Sequence, residues 1–208
     1  MHAHGESMPI KRWIICISGF MQTRSTYGGI PALWHELHTN YTQPGVVVYP
    51  APWASDWAHL AEWIERRSDP DQHPRIDVFA YSWGVGFGLV NLAKYLKRRG
   101  MHIDNAVTSD GVACVGPKYV RAVLAYCPEG RLDVGDNIRR VVSYRQKNEP
   151  IRLERHGLRL KLFGLRGHKV YKGSEPQEEH IDNMGRYHSS MDESPEFLEM
   201  CRTISEEG

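Results

Sequence analysis

Apolar residues along this chain come in short blocks, and the blocks alternate between two spacings. Trp13 to Ser18 is a continuous apolar run closed by Gly19, which predicts a buried strand. A Gly-rich loop follows, and Pro31 to Leu37 has helical spacing. Gly45 to Tyr49 (GVVVY) is a second, β-branched run, ended by Pro50 and Pro52. Ser55 or Asp56 then caps a helix that puts Trp57, Leu60, Ala61 and Ile64 on one face. Ile76 to Ala80 predicts a third strand. Gly84 to Arg99 is apolar first and basic last, as suits a helix that stops before Gly100.

Ile103 to Ser109 predicts a fourth strand leading to Asp110 and Gly111. Tyr119 to Tyr126 predicts a short helix, and PEGRLDVGDN (128–137) a loop. Ile138 to Tyr144 and Leu158 to Phe163 predict the fifth and sixth strands, their apolar–basic alternation marking sheet edges. Residues 164–187 are polar and Gly-rich and predict a long loop. Pro195 to Ile204 predicts a last helix with Ser194 as its cap. Strand and helix alternate with no internal repeat. That order predicts an α/β fold: a doubly wound, mostly parallel six-stranded sheet with helices on both faces. Ligands of such sheets bind beyond the carboxyl ends of the strands. The positions of interest are therefore Gly19 to Met21, Ser82, Asp110, Glu149 and the loop before the last helix.

The bulk properties narrow the function classes. The 208 residues suffice for one domain with a proper core, expected over 11–208 after a disordered arm at 1–10. The formal net charge of +1 supplies no global field for nucleic acid or an anionic membrane. No apolar run approaches the roughly 20 residues of a membrane helix. The leader MHAHGESMP has no hydrophobic core, so a cytoplasmic protein is expected. Cys16, Cys114, Cys127 and Cys201 are scattered, which predicts buried thiols rather than a disulfide framework or a zinc site. The pattern does not specify an oligomeric state.

Ser82 stands between the third strand and three close glycines, in IDVFAYSWGVGFG. The frame Ala80-Tyr81-Ser82-Trp83-Gly84 is close to Gly-x-Ser-x-Gly, with Ala at the first small position. Small residues on either side let the backbone turn sharply and hold the hydroxyl out at the tip. The plain alternative is a strand-to-helix turn capped by Ser82. Gly84, Gly86 and Gly88 do not form G-x-G-x-x-G, and no Walker lysine follows, which disfavours nucleotide binding.

A serine hydroxyl needs a base, and the base needs an orienting group. After the sixth predicted strand lie His168, His180 and His188. His188, just before the last helix, is the preferred base. His168 remains possible, and the acidic neighbours of His180 predict a solvated surface. Asp110, at the end of the fourth strand, is the preferred acid. Glu149 is the alternative, and Asp136 a weaker one. The oxyanion donors expected by position are the backbone amides of Phe20 and Trp83.

The motifs ISGFMQT, AYSWG, AVTSDG and YHSSMD give the chain, over about residues 11–206, a resemblance to the α/β-hydrolase superfamily. AYSWG resembles the Ala-x-Ser-x-Gly elbow of small bacterial lipases. Asp110 is placed like the acid of pancreatic-type lipases, whereas other members carry it one strand later, as Glu149 would be. The resemblance implies an uncapped serine esterase or lipase type with a Ser82-Asp110-His188 triad and an acyl-enzyme. It implies a small-molecule acyl substrate, no metal and no organic cofactor. Met21, Trp53 and Tyr81, with Phe20 and Trp83, would line the acyl pocket, and 112–137 could form a small lid. The chain departs from the pattern in its Ala80, in Ser18 where many relatives have histidine, and in lacking room for a large cap. The competing expectation is a non-catalytic binding or interaction module on the same fold.

Overall fold

The computed structural model describes residues 8–20, 22, 28–112, 131–146, 151–155, 158–163, 169–182, 186 and 188–207. The side chains at 131, 151–155, 158–163, 182, 188 and 189 lie outside that description. The main sheet holds β1 (Arg12–Ser18), β2 (Val46–Pro52), β3 (Arg75–Tyr81), β4 (Ile103–Ser109), β6 (Ile138–Gln146) and β11 (Glu178–Asp182). Their order is β11-β6-β4-β3-β1-β2, and every pairing is parallel. The fold class read from the sequence is therefore the one observed, an α/β sheet with helices on both faces. Such a sheet needs near-continuous apolar strands because both faces are covered. Along β1, Trp13, Ile15 and Ile17 face α2 (Trp57–Arg67) and α3 (Val90–Lys97), whereas Ile14 and Cys16 face α1 (Gly29–Tyr41) and the last helix, α4 (Pro195–Glu206).

Local chemistry sets the helix ends. Asp56, not Ser55, caps α2, its carboxylate accepting the His59 amide at 3.0 Å. The helix predicted from Gly84 begins as a wide π turn, Gly84–Leu89, before α3. Near the amino end of the described chain, Ile10 is buried and bridged to Ser68; residues 1–7, part of the arm expected at 1–10, lie outside the described residues.

The sixth strand is a correction. Leu158–Phe163 is a strand, β8, but it pairs antiparallel with β7 (Ile151–Arg155), apart from the main sheet. The sixth place goes to β11, inside the stretch read as loop. That stretch also holds β9 (Lys169–Lys172) and β10 (Glu175–Pro176), which form a small sheet with β5 (Arg131–Asp133). The reason is that β11 is a polar edge strand. Glu179 takes a 2.5 Å hydrogen bond from the Arg145 Nε, and His180 stacks on Tyr144 with ring centroids 4.8 Å apart. Cross-strand polar pairs hold it there, so no apolar run marks it. The predicted helix 119–126 and the lid 112–137 fall mainly on residues outside the description.

At the amino end of the sheet a buried charge cluster ties β1 to the end of the last helix. Asp77 is fully buried and accepts from Arg12 Nη2 at 2.7 Å, Arg75 Nε at 2.9 Å and Asn105 Nδ2 at 2.7 Å. Arg12 also donates to the Ile204 and Ser205 carbonyls, at 2.6 and 2.8 Å, closing the end of α4.

Candidate active site

At the carboxyl end of the sheet, two adjacent strands end in residues of left-handed backbone. Ser82 follows β3 with φ 54°, and Asp110 follows β4 with φ 44°; among the described residues these are the only non-glycines with positive φ. A left-handed residue costs about 1–2 kcal/mol when it carries a Cβ. The surroundings hold both turns in place. The Ser82 amide donates to Ser109 O at 3.0 Å, and Ser82 O accepts from Val85 N at 3.0 Å and Val112 N at 3.1 Å. The Asp110 amide donates to Tyr144 O at 2.7 Å. Its carboxylate accepts from the Gln146 amide at 3.1 Å and from Gln146 Nε2 at 3.4 Å, and it is fully buried.

The small residues around Ser82 are small for a steric reason. A Cβ at Gly84 would lie 2.6 Å from Ile17 O and 2.8 Å from Ser18 O, both rigid backbone atoms. A Cβ at Gly19 would lie 2.8 Å from the Tyr81 ring and 3.1 Å from the Ser82 Cβ. The loop after β1 therefore lies directly against the serine turn. Ala80 occupies the remaining small position, fully buried and paired with Ile17 and Thr108.

Phe20 and Trp83 follow Gly19 and Ser82, and their rings pack together at 5.1 Å. Trp53 lies 5.9 Å from Phe20 and 4.9 Å from Trp83, and Phe87 extends the group. Phe20 is 45% exposed, so this aromatic wall opens to solvent on one side. Tyr81 is buried, and its hydroxyl is pushed up from its ordinary value, chiefly by burial and secondarily by the Asp192 carboxylate. Met21, Glu149 and His168 lie outside the described residues. His188 is the first residue of a 3-10 helix, His188–Glu193, that runs into α4; its side chain lies outside the description.

Two residues that sequence reasoning missed stand out. Gln22 and Asp192 link the loop after β1 to the 3-10 helix. Asp192 is almost wholly buried, and burial is the main cause that raises its carboxyl above the ordinary value. Its Oδ2 accepts from Gln22 Nε2 at 2.5 Å and from the Ile30 amide at 3.1 Å. No side chain of its own caps α1, so Asp192 does so from a distance. The sequence signal is the pair Gly28-Gly29: a Cβ at Gly29 would sit 1.7 Å from Asp192 Oδ2. That spacing is readable only once the distant partner is known. Behind the loop, Ser18, Gln22, Ile30 and Trp34 help line a cavity of about 40 Å³.

Among the described residues, one cluster has metal-ligating types: His73, His102 and Asp104, at the amino end of the sheet and away from Ser82. Asp104 is already engaged by Arg139 Nη1 at 2.9 Å and the Ile76 amide at 2.9 Å. The two imidazoles stack at 3.5 Å with planes 16° apart, and the ligand atoms of the three residues lie within 4.8 Å of one another.

No family model and no curated protein matches the sequence. Among solved structures the chain is similar to RedJ with a PEG molecule bound in its active site, at 13% identity and TM-score 0.48, over 98% of this chain and 92% of that one. It is also similar to the RedJ thioesterase from the prodiginine biosynthetic pathway of Streptomyces coelicolor, at 11% identity and TM-score 0.47, over 98% and 88%. The Vlm2 thioesterase domain follows at 8% identity and TM-score 0.39, over 96% and 94%. Likeness at this level transfers no activity, and the chemistry has to come from the chain's own residues. Among those described, no helix is long and apolar enough to cross a membrane.

Proposed function

We propose that the protein is a serine hydrolase that cleaves a carboxylic ester or a related acyl bond through an acyl-enzyme. Ser82 Oγ adds to the acyl carbonyl carbon while His188 takes the hydroxyl proton. The Phe20 and Trp83 amides donate to the oxyanion of the tetrahedral intermediate. The bond to the leaving alcohol or thiol then breaks, and His188 returns the proton to that group. Water, deprotonated by His188, adds to the acyl-serine, and collapse releases the acid and restores the Ser82 hydroxyl. Asp110 holds the imidazole tautomer. Glu149 is the alternative acid, because it lies three residues beyond the end of β6, the strand next to β11. These groups supply nucleophile, base and oxyanion donors from the polypeptide alone. Phe20, Met21, Trp53 and Tyr81 would line the path of a small apolar acyl group.

The observation that carries this reading is the backbone of Ser82. A non-glycine held at φ 54° beyond a central parallel strand, with Gly84 and Gly19 packed too closely to bear a side chain, is a costly turn. A mere helix cap would not require it. The test is turnover of p-nitrophenyl esters of rising acyl length, with a thioester and an amide alongside. Wild-type protein should hydrolyse at least one of them. Ser82→Ala and His188→Ala should each lose more than about 10³-fold in kcat while keeping the wild-type circular dichroism spectrum. Turnover that survives Ser82→Ala would contradict the reading. No turnover by wild type would favour the non-catalytic binding module.

A further inference from the structure

We infer that Gln22 and Asp192 are positioning residues that clasp the loop bearing Phe20 to the 3-10 helix that begins at His188. The inference rests on the hydrolase reading above, and it names groups that do not themselves touch substrate. The clasp is a chain of four hydrogen bonds. Gln22 Oε1 accepts the Gly19 amide at 2.8 Å, and the Gln22 amide donates back to Gly19 O at 3.3 Å. Gln22 Nε2 donates to Asp192 Oδ2 at 2.5 Å, and the same oxygen accepts the Ile30 amide at 3.1 Å. The sequence separations are large: Gln22 meets Asp192 170 residues later.

Three consequences follow for the site. The Gly19 amide is consumed inside the turn, which leaves the next amide, that of Phe20, to point elsewhere; among the described residues no acceptor takes it. The turn geometry that aims Phe20 is thus set by the Gln22 side chain. Asp192 lies four residues after His188 in one short helix, so its attachment to the start of α1 also fixes where that helix begins. Finally, the side chain absent at Gly29, itself at φ 55°, is what admits the carboxylate. A proposed oxyanion donor and the proposed base, which come from opposite ends of the chain, are in this way referred to one carboxylate.

A displaced donor or base costs rate rather than affinity, since it acts on the transition state. The experiment is steady-state kinetics and amide exchange by NMR on wild type, Gln22→Ala, Asp192→Ala, Asp192→Asn and the double alanine variant. Gln22→Ala should lower kcat by roughly 10- to 100-fold with KM within about threefold. Asp192→Ala should do the same, and the double variant should cost about as much as either single change, because the pair acts as one chain. Asp192→Asn keeps an acceptor oxygen for both donors and should recover most of the rate. The Gly19 amide should lose exchange protection in Gln22→Ala. A wild-type kcat in Gln22→Ala, with slow turnover confined to Asp192→Ala, would overturn the clasp and leave Asp192 as a helix cap only. If wild type shows no Ser82-dependent turnover, the hydrolase reading fails by itself. The exchange arm still decides the hydrogen-bonded link, and Gly19 protection retained in Gln22→Ala overturns it.

Discussion

The two ends of the parallel sheet handle polar groups in opposite ways. At the amino end the carboxylate of Asp77 is surrounded by Arg12, Arg75 and Asn105, and Arg12 continues into the last carbonyls of α4. Charge meets charge, and the residues of that cluster keep negative φ. At the carboxyl end Ser82 and Asp110 are bent into left-handed backbone, and the buried Asp192 receives amide donors but no cationic partner among the described residues. One end is arranged to hold β1 to the end of α4. The other carries left-handed residues and a buried carboxyl held by amide donors alone, a cost that the proposed hydrolytic site would account for.

The comparison can be broken most forcefully at the amino end. Asp77→Ala leaves the buried Arg12 guanidinium without its carboxylate beside the partly buried Arg75, and should cost about 3 kcal/mol in urea unfolding. The kcat of the molecules that remain folded should stay unchanged. A loss under about 1 kcal/mol would mean that the cluster is not what ties β1 to α4. At the other end the sign reverses. Ser82→Gly relieves a positive φ and should raise stability by about 1 kcal/mol after the entropy cost of glycine, while abolishing turnover. Unfolding at a lower urea concentration than wild type would show that the turn is not strained.

The smallest expected effect is a pH dependence. Burial raises the Asp192 carboxyl above its ordinary 3.8, with Glu193 adding a like charge and Gln22 and the Ile30 amide pulling the other way. Between the unfolded and folded values the native state holds a proton that the unfolded chain has released. The carboxyl therefore favours folding most in acid and progressively less as pH rises through its folded value. Asp192→Asn has no such titration. Its stability relative to wild type should climb with pH across that window, and a flat difference in unfolding midpoint from pH 3 to 7 would contradict the shift.

Much of this was legible in the sequence, and what was not had definite causes. β1 and β3 are buried along almost their whole length, so their apolar runs announced them, and the serine turn was marked by small residues that permit close approach. The edge strand β11 was hidden because it is held by Arg145–Glu179 and Tyr144–His180 pairs, which look like surface chemistry until β6 is set beside them. LRLKLF was readable as a strand but not as the partner of β7, because alternation gives a strand's faces and not its neighbour. The Gln22–Asp192 link was invisible for the same reason: a hydrogen bond across 170 residues leaves no local pattern.

The central claim is that the turn beyond β3 holds an activated hydroxyl. Intact-mass measurement after treatment with a fluorophosphonate tests it most directly. Wild-type protein should gain one adduct, mapped to Ser82 and prevented by His188→Ala. An unmodified wild-type chain, or an adduct that persists in Ser82→Ala, would contradict it.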